Sequence, residues 1–525
     1  MEEQNIVSID LGTSKIGLTI ARKDGRTAEV IYYGETPSQG IARGSVQNVR
    51  KAAKAISEAI ELAEETIHMK ITGAVVNMPK YPITRKSSIA SMDRDGESCV
   101  EEGEIDTLRQ NAMDDCSPDD PESEKTLIAI AQSYSDEDTF QMCEEDIVGR
   151  TSSRLEGCYD IYIGKKKSLA MIDQAFNEAG RNCGTKLFPA LSVSRSCLSE
   201  DEMNRGVALV DMGAGATSIS VWKDGIMRWY DSIPFGGNLV TKDIQEVCNV
   251  SESLAENLKK AYGACLPDRL QNLSDKIIKI MEGNTVSKTL QVKYLSKIIT
   301  ARMIEIVDAA LYMIQESGYA DKLNSGIVLT GGVSNCCNLK TLVRERSGLN
   351  VRIGIPGPMF TCEGICDGIS DQEACASVGM MLMARDINYA NCTTAMDSGK
   401  GDLSKLFDEI TPGQEAEAEA KEKTETVQQQ QPKTVEKPKA EESPKTDVSK
   451  NRAKDGEGKK KGRGFEKLLS LFDTITEEDE YLQNVDIDTV VNAIKKYFPG
   501  ENIYSNCTFD DSTDYFKLLS PSQRG

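Results

Sequence analysis

The chain has 525 residues, of which 39% are hydrophobic and 28% charged, enough for a sizeable core and more than one domain. Its formal net charge of −21 argues against general nucleic-acid binding, because such a chain repels phosphate backbones. A single histidine, His68, and 15 cysteines without a CxxC pair exclude a mixed Cys/His zinc site and a Ser-His-Asp hydrolase.

The N-terminus, MEEQNIVSID, is acidic and enters a strand at once, so we expect no signal peptide. Free thiols in an unexported chain indicate the reducing cytoplasm. Because no apolar run approaches the ~20 residues that a spanning helix needs, we expect any membrane contact to be at the surface.

The first predicted element is a strand–turn–strand over residues 6–18, IVSIDLGTSKIGL. Its first strand ends at Asp10, and Gly12 and Thr13 form a tight turn before Lys15. Such a turn can aim backbone N–H groups at a phosphate, while the carboxylate suits hydrated Mg²⁺ and the lysine a phosphate. An ordinary hairpin turn is the alternative for one such motif alone.

Three amphipathic helices are predicted over residues 51–67, 167–183 and 296–316. In the first, apolar side chains recur on one stripe, with the period of a helix that covers a core.

A second strand–turn–strand covers residues 206–222, with Asp211 at the strand end and Gly213 and Gly215 in the turn. Two such openings predict a duplicated domain. A third motif, GIVLTGGVSN over 326–335, ends a buried strand at Gly331 and Gly332, where a nucleoside can lie flat against the backbone. GxxxxGK[ST] and GxGxxG are absent from the sequence, which excludes P-loop and Rossmann sites.

The chain changes character near Phe407. Residues 408–464 contain no aromatic residue and are rich in Glu, Lys, Gln and Pro, which predicts a disordered linker. Residues 465–476 then predict an amphipathic helix behind a basic cluster, which is typical of a helix lying in a membrane surface. Its apolar arc consists of Phe465, Leu468, Leu469, Leu471, Phe472 and Ile475.

Packing of this helix on the protein's own body or on a partner helix is the alternative. A second amphipathic segment, residues 487–498, covers the first helix, docks elsewhere or adds membrane contact, and the sequence leaves these open.

In this order, the three motifs resemble the phosphate 1, phosphate 2 and adenosine motifs of the actin superfamily. Within it, the chain is most similar to the bacterial cell-division family FtsA. The further segments that carry this resemblance are residues 37–64, 234–244, 255–263 and 374–382.

The resemblance implies an α/β, actin-like duplicated ATPase-fold core with subdomains IA, IC, IIA and IIB, followed by a linker and an amphipathic helix. The implied limits are 1–81 (IA), 82–166 (IC, inserted), 167–204 (IA), 205–245 (IIA), 246–326 (IIB), 327–370 (IIA), 371–400 (closing helix of IA), 408–464 (linker), 465–476 (membrane-targeting helix) and 477–525 (tail of unknown role).

The resemblance also implies ATP and Mg²⁺ as cofactors, with Asp10 and Asp211 holding the metal through water. The implied nucleotide-site residues are Asp10, Gly12, Thr13, Lys15, Asp211, Gly213, Gly215, Thr217, Gly236, Gly237, Glu256, Lys259, Gly331 and Gly332. Ala214 departs from the family's Asp–aliphatic–Gly–Gly–Gly–Thr pattern and stiffens the second turn. No catalytic residue is nominated, so at most slow ATP hydrolysis is expected.

The implied function is that of a cell-division adaptor that forms head-to-tail filaments and tethers the Z ring to the cytoplasmic face of the cell membrane. Subdomain IIB would bind the C-terminal peptide of FtsZ through Arg302, Lys297 and Lys293. Subdomain IC would recruit later divisome proteins, and the C-terminal helix would bind lipid. The alternatives are a pilus-assembly PilM-like homologue and a small-molecule kinase of the same fold.

Overall fold

The computed structural model describes residues 4–24, 27–94, 98–270, 273, 275–282, 285–395, 507–508 and 517–518. The strands are β1 (Asn5–Leu11), β2 (Lys15–Asp24), β3 (Thr27–Pro37), β4 (Ile41–Ala42), β5 (Ser45–Val46), β6 (Met69–Ile71), β7 (Gly73–Asn77), β8 (Ile83–Asp93), β9 (Glu124–Ser135), β10 (Arg154–Lys165), β11 (Asn182–Leu187), β12 (Val207–Met212), β13 (Thr217–Lys223), β14 (Ile226–Ile233), β15 (Ile277–Glu282), β16 (Thr285–Gln291), β17 (Ile327–Thr330), β18 (Val351–Ile353), β19 (Thr361–Ile365), β20 (Thr393–Ala395), β21 (Cys507–Thr508) and β22 (Lys517–Leu518).

The helices are α1 (Val49–Ile67), α2 (Glu102–Asp115), α3 (Glu144–Ile147), α4 (Lys166–Glu178), α5 (Pro189–Cys197), α6 (Glu200–Arg205), α7 (Gly237–Cys248), α8 (Glu252–Tyr262), α9 (Val292–Glu316), α10 (Leu339–Ser347) and α11 (Cys375–Asp386). The chain divides into two compact units, Met1–Thr411 and Pro412–Gly525. In the second unit the described residues form the short antiparallel pair of β21 and β22.

The first unit is built on two large sheets that share a five-strand topology, to which the first sheet adds β19. One has the strand order β11-β7-β1-β2-β3-β19 and the other β14-β13-β12-β17-β18. In each sheet, three antiparallel strands made by consecutive hairpins are extended on the other side by two parallel strands. The duplicated α/β core predicted from the two strand–turn–strand openings is therefore confirmed.

Helices cover both faces of the first sheet, which explains why its central strand β1 is buried from Asn5 to Ile9. Val7 and Ile9 pack into a cluster with α1 and α4, whereas Ile6 packs on the opposite face against α11. Because β1 and β7 are parallel, their carboxyl ends lie at the same edge of this sheet.

The predicted amphipathic helices are confirmed with shifted ends. Asn48 begins α1 by accepting a hydrogen bond from the Lys51 backbone N–H at 3.0 Å. The helix predicted over 167–183 ends at Glu178, because Gly180 adopts a left-handed φ of +68°. The helix predicted from residue 296 starts earlier, since α9 begins at Val292.

Residues 82–166, the expected subdomain IC, hold a separate sheet with the order β8-β10-β9. A cluster of its own, including Tyr134, Tyr159 and Leu108 from α2, fills one face of this sheet. The structure differs from expectation at β19. This strand pairs with β3 in the first sheet, although residues 327–370 were expected to belong to the second half. The remaining subdomain limits stay a prediction.

Among the described helices, none is both long and apolar enough to cross a membrane. The predicted linker over 408–464, the helix over 465–476 with its six apolar residues and the segment over 487–498 lie outside the described residues.

Candidate functional site

A cavity of about 740 Å³ lies where the carboxyl ends of the central strands of both sheets meet. Asp10 and Asp211 are the penultimate residues of β1 and β12, so the duplicated topology brings two carboxylates from equivalent positions to one cavity. Gly331 follows β17, the parallel neighbour of β12, and lies on the same edge. The three motifs found separately in the sequence thus line a common space.

Twelve of the fourteen predicted nucleotide-site residues line this cavity, and their role stays a prediction. They are Asp10, Gly12, Thr13, Lys15, Asp211, Gly213, Gly215, Gly237, Glu256, Lys259, Gly331 and Gly332. The other two, Thr217 and Gly236, contact residues of the second turn or of the segment after β14 without lining the cavity. The Thr217 hydroxyl donates to the Phe235 carbonyl at 2.8 Å, and a Cβ at Gly236 would lie 2.4 Å from the Gly213 carbonyl oxygen.

The two strand–turn–strand loops touch each other across the cavity. A Cβ at Gly215 would lie 2.6 Å from Thr13 Oγ1, so only glycine permits this approach. Gly331 has a φ of +81°, and a Cβ there would also lie 2.7 Å from Asp211 Oδ1. Both glycines are therefore required by the shape of the cavity wall.

Ala214 lines the cavity at the point where the family pattern has a glycine. Its carbonyl accepts a hydrogen bond from the Asn238 backbone N–H at the start of α7, at 2.8 Å. The second turn is thereby fixed to the helix that follows it.

Lys80 is a cavity residue that the sequence analysis missed. Its ammonium forms a short ion pair with Asp211 Oδ2 and also faces Asp10. Its backbone carbonyl accepts from the hydroxyls of Ser232 and Tyr230 on β14, at 2.7 and 3.1 Å. One residue from the first half is thus attached to the second half at two points.

The signal for Lys80 was present in the sequence. Residues 73–77, GAVVN, are a short apolar run, and Lys80 follows it by three positions. Because β7 is the parallel neighbour of β1, the residues after it fall on the same edge as Asp10, where sites in parallel sheets are found.

Burial and neighbouring charges shift the acid–base behaviour of this cluster. Burial raises the pKa of Asp10, and the nearby Asp211 carboxylate adds to this, against the lowering influence of Lys80 and Lys15. Burial lowers the pKa of Lys80, but the carboxylates of Asp211 and Asp10 outweigh it, so the net shift is upward. Lys80 is therefore held as a cation between the two halves.

The other lysines of the cavity are also paired. Lys15 donates to Glu35 Oε1 at 2.6 Å and forms a shorter contact with Glu373. Lys259 lies 2.7 Å from Glu256 Oε2 and donates to the Gly237 carbonyl at 3.0 Å. These contacts hold the lysines at the cavity wall, where an anionic ligand would meet them.

The residues present fit Mg²⁺ only as a hydrated ion. Within the described ranges, no cluster of three or more His, Cys, Asp or Glu side chains is arranged to hold a metal. Asp10 and Asp211 offer carboxylate oxygens to the same cavity, so they would hold the ion through its water shell while phosphate oxygens complete its coordination.

The residues predicted to bind the FtsZ peptide lie on α9, away from the cavity lining. The Arg302 guanidinium makes a two-pronged contact with Asp243 of α7, at 2.6 and 2.8 Å, and a third with Glu305 at 2.6 Å. Lys293 pairs with Asp268 at 3.0 Å. Lys297 lies between them on the same helix. The charge predicted to attract an acidic peptide is thus already partly neutralised at Arg302.

The known proteins that the chain resembles in sequence share one family name. Residues 208–379 match the family model "Cell division protein FtsA". The chain is 29% identical over 387 residues to the cell division protein FtsA of Neisseria meningitidis serogroup B, covering 73% of this chain and 91% of that protein. It is also 29% identical over 388 residues to the FtsA of Borreliella burgdorferi, with the same coverage.

Among solved structures, the fold resembles a chain of the PilM–PilN type IV pilus biogenesis complex, with a TM-score of 0.52 and 13% sequence identity over 72% of this chain and 98% of that one. This likeness concerns the actin-like fold alone. With its duplicated core, on an actin-like fold, and its matches to FtsA proteins over most of their length, the chain is similar to the FtsA family of cell-division proteins.

Proposed function

We propose that the chain binds ATP with Mg²⁺ in the cavity between its two halves and so stabilises the subunit for assembly into a cell-division filament. The observation that carries this proposal is the meeting of two equivalent Asp-and-glycine turns, from β1–β2 and β12–β13, in one cavity that Gly331 and Gly332 also line.

The local chemistry supports an anionic ligand with its own cation. Backbone N–H groups of the glycine turns and the ammonium groups of Lys15 and Lys80 supply positive charge. Asp10 and Asp211 supply the oxygen atoms that a hydrated Mg²⁺ prefers. When bound, the ion neutralises phosphate charge, while the residues of this chain orient the nucleotide and join the two halves around it.

Gly332 provides the test, because its surroundings tolerate a small side chain but not a large one in an occupied site. A Cβ there would meet its nearest neighbour, Glu373 Cδ, at 3.7 Å, which is ordinary contact. Gly332→Trp is expected to project into the cavity and weaken ATP binding by about 100-fold, or ~2.7 kcal/mol, in calorimetric titration. Gly332→Ala is the matched control and should bind nearly as the wild type does. Equal ATP affinity in a folded Gly332→Trp protein would refute this placement.

Similarity to FtsA proteins and the sequence pattern support a finer role. The chain would polymerise head to tail, since heterologous contacts propagate as filaments. The face of α9 with Arg302, Lys297 and Lys293 would bind the C-terminal peptide of FtsZ, and residues 82–166 would recruit later division proteins. Residues 465–476 would hold this assembly on the cytoplasmic face of the cell membrane at the division site.

A further inference from the structure

Two thiols face each other beside the cavity. The Sγ atoms of Cys265 and Cys336 lie 3.6 Å apart. Cys265 follows α8, the helix that carries Glu256 and Lys259, and it is fully buried. Cys336 follows the short turn Gly332–Asn335, is only partly buried and lines the cavity. The pair therefore joins two segments of the candidate nucleoside site, and one thiol is reachable from the cavity.

Backbone hydrogen bonds fix the two segments side by side. The Cys265 N–H donates to the Cys337 carbonyl at 2.8 Å, and the Cys337 N–H donates to the Gly263 carbonyl at 3.1 Å. The Asn338 side-chain amide also donates to the Cys265 carbonyl, at 3.1 Å. An S–S bond is about 2.05 Å long, so side-chain adjustment of roughly 1.5 Å closes the gap.

We propose that Cys265 and Cys336 form a modification site at which a peroxide produces an intramolecular disulfide, and that nucleotide in the cavity shields it. The Cys336 thiolate attacks one oxygen atom of hydrogen peroxide, so that an S–O bond forms and the O–O bond breaks. The products are a sulfenic acid and hydroxide, and the hydroxide takes a proton and leaves as water. The Cys265 sulfur then displaces the sulfenic hydroxyl as a second water. Two thiols lose two electrons, and one peroxide is reduced to two waters.

The surroundings favour Cys336 as the attacking group. A hydrogen bond from the Cys265 thiol lowers the pKa of Cys336, and the ammonium of Lys259 acts in the same direction against the effect of burial. A second thiol pair, Cys197 and Cys375, provides an internal comparison: Cys375 also borders the cavity, but both members of this pair are buried, whereas Cys336 is only partly buried. The shielding step rests on the proposed ATP binding, whereas disulfide formation does not.

Tryptic peptides of the full chain separate the relevant cysteines. Cys265 is alone in residues 261–269, AYGACLPDR, whereas Cys336 and Cys337 share residues 323–340. After brief treatment of the reduced protein with hydrogen peroxide, we expect mass spectrometry without reductant to find these two peptides linked. Cys337→Ser should keep the link and Cys336→Ser should abolish it. A link that persists in Cys336→Ser, or earlier linkage of Cys197 to Cys375, would overturn the assignment.

The effect of bound nucleotide on the rate of disulfide formation is measured on the same preparation. With Mg-ATP at about ten times its dissociation constant, roughly one site in ten is empty, so linkage should slow about tenfold. If calorimetry shows that ATP binds and the rate is unchanged, shielding is wrong. If ATP does not bind, the proposed function fails, while the disulfide is still judged by the peptide data.

Discussion

Lys80 shows how one residue decides the charge balance of the cavity. Without its ammonium, the Asp10 and Asp211 carboxylates would face the same buried space, and Lys15 would be the remaining cation that lowers the pKa of Asp10. Removing one partner of a buried ion pair leaves a charge uncompensated, which costs more than the pair contributes. Lys80 therefore takes part of the role that a divalent cation would have in the cavity.

Lys80→Met tests this balance. We expect the free energy of unfolding to fall by about 3–5 kcal/mol, because Asp211 loses its buried partner. Millimolar Mg²⁺ should restore part of the loss, and urea unfolding with and without the ion measures both effects. Lys15→Met is the control, and its more exposed ion pairs should contribute about 1 kcal/mol or less. Equal losses in the two variants, or no response to Mg²⁺, would contradict this account.

Glu64 offers a pH-dependent test at a second buried carboxylate. Its side chain accepts from Lys70 at 2.6 Å, from the Ile71 backbone N–H at 2.8 Å and from Arg181 at 3.1 Å. Burial alone would raise the pKa of Glu64, but these donors outweigh it and lower the pKa below its ordinary value of 4.5. The resulting stability is present above pH 4.5 and is lost as the pH falls through the lower folded-state pKa.

Glu64→Gln is expected to cost about 1.5–3 kcal/mol of unfolding free energy at neutral pH, the range for hydrogen bonds to charged groups. The difference from the wild type should narrow as the pH falls below the ordinary carboxyl value. Denaturant titrations at several pH values measure it. Glu61→Gln changes an exposed carboxylate of the same helix and should alter stability little. A pH-independent difference at Glu64 would show that its charge is not the cause.

Local spacing was sufficient to find some residues of the cavity and insufficient for others. Asp10, Asp211 and the glycines could be predicted because each lies in or just before a turn whose pattern is visible within ten residues. The partners of Lys15 could not, because Glu373 is 358 positions away and meets it only through the fold. The role of Lys80 is likewise set by Asp211, 131 positions later.

At the scale of whole elements, α7 and α9 are joined by the ion pair of Arg302 with Asp243. Both oxygens of this carboxylate accept from one guanidinium, which is the strongest geometry for such a pair. An acidic peptide on α9 would therefore have to compete with Asp243. Two neighbouring carboxylates would also oppose a glutamate at position 302, so a neutral substitution gives the cleaner test.

We expect Arg302→Gln to weaken binding of the FtsZ peptide by about 1–3 kcal/mol through loss of a charge-assisted contact. Asp243→Asn should instead strengthen peptide binding, because it removes the carboxylate that competes with the peptide for the Arg302 guanidinium. Calorimetric titration of the peptide measures both. Arg346→Gln, which breaks an arginine–aspartate pair with Asp308 elsewhere on α9, is the matched control. Unchanged affinity in both test variants would remove Arg302 from the peptide site.

Elements were predictable where their pattern was strong. The stripe of apolar residues in α1 has helical periodicity, and it packs on the first sheet with its members buried except Ile67, which is partly buried. The opposite case is β19, whose five residues are all exposed and show no alternation. It is a strand because it pairs with β3 at the sheet edge, and a tertiary contact of that kind leaves little pattern in the sequence.

At the scale of the whole molecule, membrane attachment is predicted from the sequence of residues 465–475. Burying one large apolar side chain contributes roughly 1.5–3 kcal/mol, before the cost of ordering a helix at the surface. Six such residues are enough for reversible binding, and the basic residues at 459–463 add attraction to anionic lipid. The net charge of −21 opposes it, but a linker over 408–464 would hold the acidic body beyond the ~10 Å screening length.

Phe472→Glu places a charge in the middle of the predicted apolar arc and should release the full chain from anionic liposomes in a sedimentation assay. Ser470→Glu adds the same charge on the predicted polar face, so it should leave most of the binding intact because only its position differs. Truncation after Gly464 should abolish binding without changing ATP affinity, since the cavity lies wholly within the first unit. If Phe472→Glu still sediments like the wild type while the truncated chain does not, the attachment belongs to residues beyond this helix, and the amphipathic segment over 487–498 becomes the one to mutate next.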